Sequence, residues 1–357
     1  MRDSVGKITV LRGAERVRRR PAVIFGDNGI EGVMTAFEML LHTLSGEAAE
    51  GCGKVLTVTR FRDASIGIEA SGRGLCVADD GWKELFCELY AGSAYESDPA
   101  WEDSFHLCAV QYASEFMDVR VCRDGQEYRL RFEKGENLGG LKTAACDAPD
   151  GTYIRFKPDR EVFTDICLSA EGVAKRAQQL ALQLPGLQVS FREETDDGFA
   201  ETVFCYPEGS GDYLKGHSAL PVYTAALEAQ GQERYNRPSY TARVRVGIGF
   251  GETGFVECYH NRRELTHGGT HVDKLVDEVG KYLEWMLEKQ IPESRLLSRL
   301  QLVVISDAMI TQWSNGARTS INNTLIRDMA QDTLGENFRQ YVKENRTQLH
   351  ALLCPEE

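Results

Sequence analysis

The stretch FEMLLHTLSGEA, residues 37–48, sets a glutamate inside an apolar run and follows it four positions later with a histidine. Together with the residues before it, the stretch has apolar side chains at helical spacing, so we predict an amphipathic helix. Residues four apart lie one turn above each other, so Glu38 and His42 share one face of that helix. Whether this face still carries out chemistry depends on the segments around it.

Segments with the alternation of β-strands follow the helix. They are KVLTVTRF, SIGIEA, MDVRVCRDGQEYRLRFEKG and GTYIRFKP. The third contains Asp124–Gly125, a pair that predicts a two-residue hairpin turn. A helix (AEGVAKRAQQLALQL) and a strand (LQVSFREE) come next. Glycine and charge then dominate residues 207–218, which predicts a boundary between a first domain, 1–206, and a second domain, 207–357.

The second half predicts two strands, a long helix, a buried strand (LQLVVISD) and one last helix over residues 324–353. Between the two strands, Gly249, Gly251 and Gly254 match the spacing G-x-G-x-x-G. In a dinucleotide-binding fingerprint these glycines open a helix. Because another strand (GFVECYH) follows here, we reject a dinucleotide site and predict the turn of a hairpin.

Composition and charge bound the function classes. The 357 residues are 42% hydrophobic and 27% charged, which is typical of a soluble chain with two domains. A formal net charge of −13 opposes general binding to nucleic acid. The basic run at residues 16–20 is interpreted as a solvated helix end. No run is long enough for a membrane span or a signal peptide, so we expect a cytoplasmic protein without membrane contact.

Ten cysteines are scattered along the chain, with no CxxC pair and no His/Cys cluster at zinc spacing. We therefore expect reduced thiols and no structural metal. Cys108 and Cys167 lie among apolar residues and are expected to be small core side chains.

In their order and spacing, these segments resemble the N-terminal half of the gyrase B and topoisomerase IV B proteins. The matching segments are GAERVRRRPAVIFGD, FEMLLHTLSGEA, IEASGRGLCVADDG, the hairpin and Gly-Thr strand, GGTHVD and INNTLIRD. The resemblance implies an α+β fold. A GHKL (Bergerat-type) α/β sandwich with a mixed sheet is followed by a ribosomal S5-like transducer domain, and the nucleotide lies between helices and sheet.

The resemblance also implies a set of site residues. Glu38 takes the position of the family's general base. The family's nucleotide-binding positions are taken by Gly72, Arg73, Gly74, Arg129, Thr152 and Arg318. The glycines also fit an ordinary tight turn. Arg129 and Thr152 also fit as ordinary strand residues.

At other positions, this chain lacks the residue types that bind the nucleotide and its magnesium ion in the family. His42 replaces the family's magnesium-binding Asn and Leu41 the Asp before it, although Mg²⁺ prefers oxygen ligands. Ala70 replaces the Asp that accepts a hydrogen bond from adenine. The phosphate lid is replaced by a shorter segment with four carboxylates, Glu96, Asp98, Glu102 and Asp103. Four carboxylates repel a triphosphate. We therefore interpret Glu38 as a vestigial base and expect no metal site.

Three hypotheses follow. The first is a pseudo-ATPase that keeps the module and acts in binding or regulation. The second is a divergent, ATP-hydrolysing fragment of a type II DNA topoisomerase of the gyrase B kind, and only this one requires ATP and magnesium. The third is a nucleotide-independent protein-interaction adaptor. Expected partners are a second copy of the chain and a gyrase-A-like or other protein, with weak or indirect DNA contact. We expect no TOPRIM domain in this chain.

Overall fold

The protein is described by a computed structural model that covers residues 13–89, 106–233, 239–316 and 318–354. The chain divides into two compact units. Unit 1 comprises Met1–Gln179 with Leu187–Phe204, and unit 2 comprises Leu180–Gly186 with Cys205–Glu357. In the ranges covered, none of the helices has the length and apolar character that a bilayer crossing requires.

The elements of the first part of the chain alternate between helices and strands. The helices are α1 (Gly13–Arg19), α2 (Pro21–Phe25), α3 (Ile30–Leu44), α4 (Gly46–Ala49), α5 (Gly81–Cys87), α6 (His106–Tyr112) and α7 (Ala170–Gln183). The strands are β1 (Val55–Arg60), β2 (Ile66–Ser71), β3 (Ser114–Arg123), β4 (Gln126–Glu133), β5 (Glu136–Asn137), β6 (Lys142–Ala145), β7 (Gly151–Pro158), β8 (Gln188–Thr195) and β9 (Gly198–Phe204).

These strands form one nine-stranded mixed sheet in the order β5-β4-β3-β7-β2-β1-β8-β9, with β6 paired to β4. Only the β1–β8 pairing in it is parallel among the described strands. The predicted Asp124–Gly125 turn is confirmed, because both residues have positive φ, 53° and 74°, as a primed hairpin turn requires.

The predicted helix around Glu38 is confirmed as α3, which packs on β2 and α6. Its apolar stripe, including Phe37 and Leu40, is fully buried. Burying a side chain of this size contributes about 1.5–3 kcal/mol. We call the sheet face that α3 covers the inner face. It bears Val121, Thr152 and Ala70, all of them buried.

The opposite, outer face of the sheet carries charge and aromatic rings. Arg120 on β3 lies opposite Tyr153 on β7, with its guanidinium 5.5 Å from the ring centroid. Arg131 on β4 donates to Asp118 on β3 at 2.6 Å. The alternation of strand side chains separates these residues from the buried ones between them.

Unit 2 is built on a second, five-stranded sheet in the order β10-β11-β14-β12-β13. Its strands are β10 (Tyr223–Gly231), β11 (Tyr240–Phe250), β12 (Phe255–His260), β13 (Arg263–Glu264) and β14 (Leu300–Ala308). Its helices are α8 (Ser210–Lys215), α9 (Thr270–Leu287), α10 (Glu293–Leu297), α11 (Thr324–Asp332), α12 (Glu336–Glu344) and α13 (Arg346–Leu353). Side chains of β11, β14, α9, α11 and α12 share one buried core.

The predicted hairpin between the second-half strands is wrong. β11 and β12 do not pair, because the buried strand β14 lies between them, antiparallel to β11 and parallel to β12. The glycines instead allow close approach of backbone. A Cβ on Gly254 would lie 2.0 Å from the carbonyl oxygen of Leu297, and one on Gly251 would lie 2.9 Å from that of His217.

The single last helix is also wrong. Its sequence forms α11, α12 and α13, which break at Gly335 and Asn345. Asn345 ends α12 with a side-chain bond to the Tyr341 carbonyl at 2.8 Å, a local bond that competes with a continued helix. Strand β9 and helix α8 have no counterpart in the sequence prediction.

The two cysteines expected in the core differ. Cys108 is buried, which confirms that expectation. Cys167 is exposed, so its assignment to the core is wrong. Its neighbours Ile166 and Leu168 are buried, whereas Cys167 between them is exposed.

Candidate functional site

The candidate catalytic carboxylate forms an ion pair with an arginine. Arg176 on α7 approaches the Glu38 carboxylate with an Nε–Oε1 distance of 2.5 Å, and both side chains are partly exposed. Another guanidinium nitrogen of Arg176 donates to Gln179 at 2.7 Å, which fixes the orientation of the fork. A guanidinium in such contact stabilises the charged carboxylate and competes for the oxygen that would orient a water molecule.

The residues next to this carboxylate offer little to a metal or to adenine. His42 is half-buried one turn after Glu38, and Leu41 is buried in the α3 core. Ala70 lies on the inner face of β2, directly opposite Thr152 of β7, and is 8% exposed. Its methyl group can accept no hydrogen bond.

The Gly72–Arg73–Gly74 loop is a tight turn held by α4. Gly72 and Gly74 have φ angles of 154° and 78°, which only glycine adopts readily. The Glu47 carboxylate accepts a hydrogen bond from the Arg73 amide, and Glu50 pairs with the Arg73 guanidinium. Hydrogen bonding to Glu50 raises the pKa of Arg73. The loop's charged side chain is thus engaged within the protein.

Thr152 connects this loop to the sheet. It is buried, and its hydroxyl accepts a hydrogen bond from the Leu75 amide at 3.0 Å. The backbone carbonyl of Asp150, two residues earlier, accepts a hydrogen bond from the Gly72 amide at 3.4 Å. The structure therefore brings Gly72, Gly74 and Thr152 close together.

Arg129 does not join this group. Arg129 lies on the outer face, where it donates to Glu127 at 2.6 Å and lines a cavity of about 550 Å³. Its hydrogen bond holds the pKa of Glu127 below the usual range. Arg318 belongs to unit 2, where its guanidinium lies 5.7 Å from the Trp313 ring centroid and its backbone has a φ of 56°.

Comparison with known proteins gives a consistent likeness over most of the chain. DNA gyrase B of Thermotoga maritima is 29% identical over 303 residues, covering 78% of this chain and 47% of that protein. The type 2 topoisomerase B protein of Aquifex aeolicus is 26% identical over 372 residues, 97% of this chain and 46% of that protein. The DNA topoisomerase 4 B protein of Enterococcus faecalis is 25% identical over 374 residues, 97% and 53%.

The chain is similar to the N-terminal region of gyrase B. It spans about half the length of the curated relatives it matches. No family model matches it.

Solved structures confirm the fold prediction for this gyrase-B-like chain. The 43K ATPase domain of Thermus thermophilus gyrase B, in complex with an aminocoumarin, aligns with a TM-score of 0.71 at 24% identity, covering 95% of this chain and 92% of that one. The gyrase B structure of Myxococcus xanthus aligns with a TM-score of 0.77 at 18% identity, covering 95% and 99%. The mixed sheet under a helix layer, followed by a second unit, is the expected GHKL sandwich and transducer.

The residues of the gyrase-B-like site fit a magnesium nucleotide poorly. At the position that the resemblance assigns to adenine, Ala70 presents a buried methyl group, and at the position that it assigns to the metal, His42 presents an imidazole. One oxygen of the Glu38 carboxylate, Oε1, is paired with Arg176. Mg²⁺ requires hard oxygen ligands, and a polar base requires a polar partner in a buried pocket. We therefore derive no hydrolytic step for this site.

Sequence reasoning missed Arg176, because its contact with Glu38 comes from a helix more than one hundred residues further along the chain. It also missed Glu47, although this residue lies within residues 37–48, in the short helix α4 that follows α3. The predicted acidic lid, with Glu96, Asp98, Glu102 and Asp103, lies outside the residues that the structure describes, and its role stays a prediction.

Proposed function

We propose that this chain is a pseudo-ATPase: a gyrase-B-like ATPase and transducer module that acts in binding or regulation and does not hydrolyse ATP. The observation that supports it best is the ion pair between Glu38 and Arg176, with its 2.5 Å contact. A general base must be able to take a proton from water in the transition state. Arg176 occupies Oε1 of Glu38, one of the two oxygens that could take this proton.

The substitutions at the expected nucleotide-binding positions further support the pseudo-ATPase proposal. Metal, adenine and lid positions all act on one nucleotide, so weakening them together lowers affinity multiplicatively. Ala70 removes a hydrogen-bond acceptor and His42 removes an amide oxygen. Loss of a buried polar partner alone reduces discrimination by about 10⁴ in a site built around it.

The proposal extends to partners. Gyrase B relatives suggest two of them, a second copy of the chain and a gyrase-A-like protein, and we propose binding to these with weak or indirect contact to DNA. The net charge of −13 favours protein partners over direct nucleic-acid contact. Sedimentation velocity, with and without nucleotide, tests the self-association.

Nucleotide titration tests the central claim. The full chain is titrated calorimetrically with a non-hydrolysable ATP analogue and Mg²⁺, and phosphate release from ATP is followed in parallel. Glu38→Gln is compared with Glu69→Gln, a matched change at an exposed β2 carboxylate that pairs with Arg120 on the outer face. We expect no heat at millimolar nucleotide and background phosphate release in all three proteins.

The divergent-ATPase alternative has a different signature. Micromolar binding, with phosphate release that Glu38→Gln abolishes and Glu69→Gln retains, would overturn the pseudo-ATPase proposal. The double variant Ala70→Asp, His42→Asn supplies the missing oxygen ligands. We expect it to bind nucleotide at concentrations at which the parent chain gives no heat, while phosphate release stays at background.

A further inference from the structure

Three metal-ligating side chains converge on the outer face of the first sheet, beside the β3–β4 turn. Cys122 on β3 lies directly opposite Glu127 on β4. On the other side of β4, Ala144 of β6 also lies opposite Glu127. Cys146 follows two residues later, so the alternation of strand side chains directs it to the same face as Ala144. Strand register thus assembles a group that no short motif contains.

The distances within this group suit ligands of one ion. The Cys122 and Cys146 sulfurs are 3.5 Å apart, and the two sulfurs and a Glu127 oxygen all lie within 4.8 Å of one another. A disulfide requires about 2.05 Å between sulfurs. Two thiolates on a tetrahedral zinc ion, each about 2.3 Å from it, stand about 3.8 Å apart. The observed spacing is therefore close to that of two zinc ligands.

We propose that Cys122, Cys146 and Glu127 form a binding site for one thiophilic divalent cation of the Zn²⁺ class, with water as the fourth ligand. Two sulfurs and a carboxylate favour Zn²⁺ or Cd²⁺ over Mg²⁺ and Ca²⁺, which prefer all-oxygen sites. Cys122 is buried, whereas Cys146 and Glu127 are partly exposed. The partly exposed side leaves room for a solvent ligand.

Surrounding contacts orient the ligands in the way that metal sites require. Arg129 donates to Oε1 of Glu127 at 2.6 Å, and the second oxygen of a carboxylate can still ligate. The Ala148 amide donates to the Cys146 sulfur at 3.3 Å, and the Cys146 amide donates to the Gly125 carbonyl at 3.0 Å. Both bonds fix the Cys146 thiol beside the hairpin turn.

The charges also balance. Two thiolates and one carboxylate carry three negative charges, which a divalent ion and the adjacent Arg129 together offset. Without an ion, the two sulfurs share a hydrogen bond. A bound cation would take the place of this hydrogen bond, because thiolates are the form of cysteine that ligates a metal.

Metal titration of the full chain tests the site. The chain is reduced, freed of metal and titrated with Cd²⁺, followed by the ultraviolet thiolate–Cd²⁺ charge-transfer band, and then with Zn²⁺ in competition. We expect saturation at one equivalent. Cys122→Ser and Cys146→Ser should lose the band, and Glu127→Gln should weaken affinity by roughly 10-fold or more, since losing an outer-shell partner alone costs about that much. Cys76→Ser, at an exposed cysteine outside the group, is the matched control and should bind as the parent chain does.

A second measurement needs no variant. Zn²⁺ should slow alkylation of Cys122 and Cys146 in the unaltered chain, as mapped by mass spectrometry, and leave Cys76 and Cys205 reactive. Unchanged one-equivalent binding in Cys146→Ser would overturn the proposal. So would the absence of thiol protection by Zn²⁺, or a Cys122–Cys146 disulfide that forms on mild oxidation at the same rate with and without Zn²⁺.

Discussion

Acid should destabilise unit 2 through two buried histidines. His271, near the start of α9, contacts the Cys258 sulfur through Nε2 at 3.1 Å, and its Nδ1 has no hydrogen-bond partner among the described residues. His260 lies between the hydroxyls of Ser306 and Thr311, at 2.9 Å from each. Burial lowers the pKa of His271 to about 4 and that of His260 to about 3. Both imidazoles are therefore neutral in the fold.

The sign and size of the effect follow from linkage. The unfolded chain takes up a proton on each histidine below a pKa of about 6.5, whereas the folded chain does not. Above about pH 6.5 neither state is protonated, so these groups make no contribution to the pH dependence. From there stability falls until the folded pKa is reached, and at about pH 5 each histidine costs about 2 kcal/mol. Together they amount to a large fraction of a typical stability of about 5–15 kcal/mol.

Urea titrations at neutral pH and at about pH 5 measure this loss. A hydrogen-exchange pulse at one fixed pH reports on peptides from β12 and α9, so that unit 2 is followed by itself. His271→Gln removes one titrating group, and its loss of stability between the two pH values should be smaller by about 2 kcal/mol than that of the parent chain. His350→Gln, at a partly exposed position, is the control. Equal pH dependence in His271→Gln and the parent would refute the reasoning.

Three further changes have expected outcomes. Asn323→Ala should cost about 2 kcal/mol or more in urea unfolding, because the buried amide bonds a backbone amide and a carbonyl at 2.8 Å each; an effect under half that size contradicts it. Gly254→Ala should lower the melting temperature sharply because its Cβ would meet a carbonyl oxygen at 2.0 Å, whereas Gly216→Ala should be tolerated. A double-mutant cycle on Glu38 and Arg176 should give a coupling of about 0.5–1 kcal/mol that shrinks in salt, and a value that is independent of salt would argue against an ion pair.

The sequence was sufficient where local signals agree with the fold. The apolar stripe of α3 and the Asp124–Gly125 turn are both decided within a few residues, by helical spacing and by positive φ. The tight turn around Arg73 was also predictable, since the φ angles of Gly72 and Gly74 are ones that few residues other than glycine adopt. These features were predictable because their physical cause lies in adjacent residues.

The failures concern partners that lie far away in sequence. Nothing near β11 and β12 reveals that β14 separates them, because strand alternation specifies a face and not a neighbour. The same holds for Arg176 beside Glu38. Cys122 and Cys146 show it again, because spacing alone gave no reason to place their sulfurs 3.5 Å apart. These three arrangements depend on tertiary contacts, which the sequence next to each residue does not reveal.

The insertion of β14 between β11 and β12 has a consequence for synthesis on the ribosome. Residues 240–260 emerge from the ribosome before residues 300–308. Until β14 is made, the edges of β11 and β12 that pair with β14 in the folded protein therefore lack their partner. Unpaired edges attract other strands, and non-local pairing slows folding. We expect a nascent chain arrested before residue 300 to leave β12 open to hydrogen exchange, and protection of β12 in that chain would contradict this. The second sheet is then completed from its centre, by the last of its strands to be made.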